Sequence, residues 1–471
     1  MPKNKYKRLI VDISVFITGI VLTKVVQFAL LPLYTTYMTA ESYGVAELTN
    51  NMSELLFPIV TLCIYEAAFR YVVGSKFSKE EIITASIKTL SFTAIISAII
   101  LLICNYVFKY EFAGYLYFIL YAYSFKMLLA YYVRGKGFTK IFAVSGIITA
   151  VSLALFSYVF VVHLHWDVKG YLLSIAFSNV CSLLFLFIGG KLYQEIKWDI
   201  KTKDVTRELL HYSTPLIVYN IGYWLTIMTG RFILLWLTDA STVGEYAAVI
   251  KLAAIINIIQ QAFFAAFQLN ASREYNSSDK EMYYSNIFKI YAIAVLMFGS
   301  IILCLSPFLS NLTLKNEFYN ARIYLPLVLL IAIIDCLFVF FKTMYTTYKL
   351  TKKAIPSMFI GVGINFVIGM ITASKYGIWG ICIASLLCYT AQAIYQIIDV
   401  RKFVNIKCDW GYIITYLGLL CVQVFLLSFG NFKGILFSGV IAIYVVISSI
   451  FLYRKVLFRM VTPLLKKEIK A

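Results

Sequence analysis

Between Leu9 and Leu452 the chain repeats one pattern fourteen times, an apolar run long enough to cross a bilayer followed by a short polar connection. A span needs roughly 18 to 25 apolar residues, and the runs Leu9–Leu33, Ile87–Val107, Ile290–Leu309 and Ile435–Leu452 have that length. In lipid no water satisfies free backbone groups, so a continuous apolar run closes its hydrogen bonds as a helix. The expected fold class is therefore all-α, a polytopic membrane protein of about 14 transmembrane helices. Composition agrees, because 61% of the 471 residues are hydrophobic and only 14% are charged, too apolar for a soluble surface.

The formal charge of +19 would suggest nucleic acid in a soluble protein. Here the 42 Lys and Arg gather in alternate connections, so no nucleic-acid partner is expected. The basic set includes the amino terminus (Lys3, Lys5, Lys7, Arg8), the sixth connection (Lys191, Lys197, Lys201, Lys203, Arg207) and the tail from Arg454 to Lys470. The other set holds only Lys109, Lys169, Lys315, Arg322, Lys375 and Lys433. By the positive-inside rule both termini are expected in the cytoplasm, the protein in the cell membrane, and anionic lipid against the basic loops. The first run is too long for a signal-peptide core and lacks a cleavage site, so it is expected to stay as a helix. None of the nine cysteines forms a CxxC pair, and His163 and His165 read as a polar turn, so no metal and no cofactor is expected.

Set against itself at an offset of 200, the chain matches YMTAESYG (Tyr37 to Gly44) with LTDASTVG (Leu237 to Gly244). That makes the first and seventh spans equivalent starts of two six-helix sets of like orientation, a parallel pseudo-repeat. The expected organisation is an N-terminal lobe over 1–190, a cytoplasmic connection over 191–208, a C-terminal lobe over 209–400, and two additional helices with a basic tail over 401–471. Ser213 or Thr214 is expected to cap the seventh span, with Pro215 in its first turn.

Charges within the apolar runs stand out, since an ion in hydrocarbon costs about 3 kcal/mol even on insertion scales. In LCIYEAAFRYVVG, Glu66 and Arg70 sit four apart. They suit an ion pair on one helix face, and substrate contact suits Glu66 as well. Arg70, near the cytoplasmic end, also suits snorkelling to headgroups. Lys24, with Gln27 beside it, points to a hydrated cavity. Asp335, with Lys342 two turns on, reads either as a protonated acid or as a proton-coupling group. Arg231 and Lys251, near the outer ends of their runs, and Lys126, near a cytoplasmic end, complete the embedded cations; each taken alone suits reach to the interface, and together they suit a shared lumen. Tyr219, Asn220 and Tyr223 join aromatic faces to polar groups, which suits sugar rings and helix packing alike. Tyr34, Tyr37, Tyr131 and Tyr132, at helix ends, read as an aromatic belt.

In order and spacing, FALLPLYTTYMTAESYGVAEL, EAAFRYVVG, YSTPLIVYNIGYW through GRFILLWL, VGEYAAVIKLA and KLTKKA resemble the Wzx-type polysaccharide repeat-unit flippases of the multidrug/oligosaccharidyl-lipid/polysaccharide exporter superfamily. The resemblance implies two six-helix lobes around a V-shaped cavity with two peripheral C-terminal helices. It implies a non-enzymatic flippase that carries an undecaprenyl-diphosphate-linked oligosaccharide to the outer leaflet by alternating access, with other polysaccharide assembly proteins as candidate partners. Lys24, Arg231 and Lys251 match positions where relatives commonly carry basic residues, and with Arg70 they make the expected cationic cavity. Gly230 stands where many relatives have an acid, so any carboxylate partner of Arg231 comes from elsewhere or is missing. Lipid II flippases and cation-coupled drug exporters of the superfamily are the alternatives. A membrane polymerase or glycosyltransferase fits less well, because the external connections are short and nearly free of charged groups.

Overall fold

A computed structural model describes residues 28–73, 77–258, 279–348 and 350–468, together with a few isolated positions. Within them the protein is helical and polytopic. Ten helices are long and apolar enough to cross a membrane, or up to eleven if one bent pair counts as a single span. The far half of the Lys79–Phe108 helix shows why lipid is the solvent: Leu102 is 71% exposed, and Ile95, Ile99, Ile103 and Tyr106 are exposed beside it. An apolar face of that size would drive a soluble protein to aggregate.

The chain divides into two compact units, Val25–Arg231 and a second beginning at Phe232. In the first, residues 28–37 form α1, followed by α2 (Ala40–Val60), α3 (Ile64–Val73), α4 (Lys79–Phe108), α5 (Ala113–Gly135), α6 (Thr139–Ser157), α7 (Asp167–Gly189) and α8 (Lys203–Leu237), which runs on past the boundary. Helix α5 is the hub, packing on α2, α3, α4, α6 and α7. Local signals start several helices. Ser78 and Glu81 close a reciprocal capping box at α4, and Thr39 caps α2 through the Ser42 N–H. Asp239 caps α9 (Ala240–Ala253) through the Thr242 N–H. The two segments that echo each other in sequence are thus two copies of one capping turn.

Helix α8 departs from expectation. Ser213 and Thr214 do not cap a helix start, and Pro215 lies inside the helix. The preceding segment places Val205 and Leu209, four apart, in the hydrophobic cluster of the first unit, and burial of that stripe outweighs the local cost of proline.

The second unit contains α9, α10 (Lys280–Thr313), α11 (Leu325–Thr347), α12 (Ile355–Tyr376), α13 (Ile378–Val400), α14 (Trp410–Ser428) and α15 (Phe432–Glu468). Helices α12 and α13 form a tight hairpin. Gly377 turns it at φ +53, and a Cβ on Gly380 would meet the Thr372 carbonyl at 2.4 Å. Only glycine combines that turn and that approach. Helices α14 and α15 pack on α10. Buried Gln423 accepts from the Ser300 hydroxyl at 2.8 Å and donates to the Ser438 carbonyl at 3.0 Å, so one amide joins three helices.

Candidate functional site

The second apolar run is not one helix. The α2–α3 pair bends by 54°, and the break falls at Leu62 and Cys63, both left-handed at φ 49 and φ 51. Left-handed backbone costs a non-glycine residue roughly 1–2 kcal/mol, so the surroundings must hold it. They do so with tight turns, Ile64 N–H to Thr61 carbonyl at 3.0 Å and Glu66 N–H to Cys63 carbonyl at 3.1 Å. Asn220 of α8 completes the brace. Its Nδ2 donates to Cys63 Sγ at 3.4 Å and to Glu66 Oε1 at 3.3 Å.

Glu66 therefore has partners other than the expected one. Besides Asn220, the Tyr65 hydroxyl donates to its Oε1 at 3.1 Å. Among the described residues no ion pair joins it to Arg70, which is exposed. Both residues lie on α3 beyond the break, so their i, i+4 spacing is intact; Glu66 is held instead by a partner 154 positions away in sequence, which a local argument does not include. Beside the break lies a cavity of about 280 Å³, lined by Phe57, Tyr65, Tyr123, Tyr131, Glu54, Asn220 and Trp224 among others. Tyr131, expected in an aromatic belt, is a wall of this cavity. Two further belt candidates are buried: Tyr34 shares a hydrogen bond with Ser157 at 2.7 Å, and Tyr132 donates to Glu195 at 2.5 Å. Tyr37 is exposed, as an interfacial residue would be.

A second polar cluster gathers α1, α2, α7 and α8. Glu47, which sequence reading passed over, is 2% exposed and accepts from the Tyr171 hydroxyl. The rings of Tyr34, Tyr43 and Tyr171 meet edge-on or tilted beside it. Its place in the polar-looking stretch AELTNNMSE hid it. Arg231 acts electrostatically on Tyr43 from α8 and is only 6% exposed. Its Nη1 reaches the Met228 sulfur at 3.3 Å, while Nε has no hydrogen-bond partner. Among the described residues no carboxylate forms an ion pair with it. Breaking or omitting the pairing of a buried ion costs several kcal/mol, and the acid that shares this cluster, Glu47, acts on the same Tyr43.

The remaining candidates are placed as follows. Lys24 and Gln27 lie outside the described residues, as do the side chains of Tyr219 and Tyr223. Lys251 is half-buried near the end of α9. Asp335 and Lys342 are half-buried on α11, close enough to act on one another electrostatically. Asn220, Glu66 and Arg231 belong to the first unit, and Lys251, Asp335 and Lys342 to the second.

The sequence model of a family described as "Polysaccharide biosynthesis protein" matches residues 9–268. No curated protein matches the chain in sequence. Among solved structures, the lipid II flippase MurJ in an inward closed conformation aligns with 94% of this chain and 99% of its own, with a TM-score of 0.68 at 12% identity. An inward-facing MATE family multidrug resistance transporter of the MOP superfamily aligns over 80% of this chain and 97% of its own, with a TM-score of 0.59 at 13% identity. A MOP superfamily transporter from Pyrococcus furiosus gives 85%, 95%, 0.59 and 12%. The fold is thus of the MurJ and MATE type.

Proposed function

Because the chain belongs to the polysaccharide biosynthesis protein family, we propose that it is a flippase moving an undecaprenyl-diphosphate-linked oligosaccharide repeat unit from the cytoplasmic to the outer leaflet. The physics requires a protein path for the headgroup alone. Sugar hydroxyls and a diphosphate lose their hydrogen bonds with water in hydrocarbon, while the polyprenyl tail stays in lipid. The observation that carries the reading is Arg231, a buried cation near the end of α8 that pairs with no carboxylate among the described residues. A fixed guanidinium offsets the desolvation of a phosphate. Lys24, Arg70 and Lys251 are proposed to act with it in a cationic path, and Asp335 with Lys342 to couple movement to a proton. An inside-negative potential assists export by roughly 2.3 kcal/mol per charge per 100 mV, and rocking of two lobes gives alternating access.

Arg231→Ala should leave the protein folded and abolish most surface polysaccharide, with lipid-linked repeat units accumulating on the cytoplasmic side. Arg231→Lys should restore part of the activity, because charge returns without the bidentate fork. Normal polysaccharide in the alanine variant at matched expression would remove Arg231 from the mechanism. A second reading, lipid II flipping, is favoured by the 94% coverage of this chain by the lipid II flippase fold. Rescue of cells depleted of their own lipid II flippase would select it.

A further inference from the structure

The cavity beside the α2–α3 break has the wrong chemistry for a phosphate and the right one for a sugar. No Lys or Arg is among its described lining residues. Instead Glu54 faces it, and Glu66 stands behind Asn220 at 3.3 Å. Among the described residues Glu66 Oε1 takes both of that carboxylate's bonds, from Tyr65 and Asn220, leaving Oε2 as an acceptor. Ionised carboxylates only accept hydrogen bonds, so they take hydroxyl donors and repel a diphosphate. The walls are aromatic, and rings such as Tyr131 and Trp224 present flat apolar faces beside polar edges, to which the C–H face of a pyranose fits. At about 280 Å³ the space lies at the bottom of the range for small-molecule pockets, which begins near roughly 300 Å³. That is room for one ring. Trp224 and Arg231 lie seven residues apart on α8, hence on one face and about 10 Å apart along the axis.

We propose that this cavity is a sugar subsite, holding the ring attached to the diphosphate while Arg231 holds the diphosphate itself. The proposal rests on the flippase reading above, and the test separates the two. The full chain in lipid nanodiscs is titrated with bare undecaprenyl diphosphate and with the same carrier bearing a single glucose, galactose or N-acetylglucosamine. At least one sugar should tighten binding by about tenfold, the scale of one charge-assisted hydrogen bond. Trp224→Ala and Glu54→Gln, the latter keeping the side-chain shape, should each erase that increment and leave affinity for the bare carrier unchanged. An increment that survives in both variants, or no preference for any sugar, overturns the subsite. Binding of the cation rhodamine 6G that is lost in both variants, without sugar preference, reassigns the cavity to cationic aromatic solutes. Failure to bind even the bare carrier removes the flippase reading and the subsite with it.

Discussion

Individual charged residues in this protein are treated by three different means. Glu47 is buried and held by a tyrosine hydroxyl, Arg231 is buried with no ion pair among the described residues, and Asp409 works as a helix cap. Asp409 caps α14 while the Tyr453 hydroxyl donates to it at 2.6 Å. That bond, with lesser help from the Tyr412 N–H and Lys289, holds its carboxyl below the ordinary carboxylate range against the opposing effect of burial. A folded value below the unfolded one means the stabilisation is present above the unfolded pKa and fades as pH falls through the folded one. Melting temperature should therefore drop as pH falls below about 4, and Asp409→Asn should flatten that part of the profile. An unchanged profile in the variant would show that Asp409 is not the titrating group. The presence of Glu66 and Asn220 as polar residues in apolar runs was legible in sequence; their contact was not, because 154 residues separate them and nothing local signals the approach.

At the level of elements, the length of apolar runs located the helices well and their interruptions badly. Leu62 and Cys63 are ordinary apolar residues, and their left-handed backbone is imposed by packing and by Asn220. No propensity announces it. Glycine normally destabilises a helix by about 1 kcal/mol relative to alanine, but at Leu62 the order should invert. Leu62→Gly should melt higher than Leu62→Ala, since glycine relieves the strained φ of 49. Alanine melting higher would mean that the segment straightens in solution. The same override hid the early start of α8, where burial of Val205 and Leu209 carries the helix through Pro215.

At the level of the whole molecule, the multi-pass helical class was legible because apolar run length and the solvent requirement of lipid leave few other solutions. The capping turns of α2 and α9 give a structural basis to the internal echo at its first residues. Orientation rests on the distribution of Lys and Arg and is open to direct measurement. In a background free of native cysteines, His165→Cys should react with a membrane-impermeant maleimide in intact cells. Trp198→Cys should react only after permeabilisation. The reverse pattern would invert the topology, and with it the direction of transport.

One connection has a consequence for handling the protein. The segment after α7 carries Lys191, Lys197 and Lys201, all with exposed side chains. Its backbone is nevertheless tied down: Lys88 Nζ donates to the carbonyls of Trp198 and Ile200 at 2.8 and 3.2 Å, and the Lys197 N–H donates to Thr84 at 3.1 Å. A protease needs extended, freed backbone, so accessible lysines alone do not make a cleavage site. Trypsin should spare this stretch in the native protein and nick it after Lys88→Ala, which makes the lifetime of the intact chain under digestion a gauge of how firmly that strap is fastened.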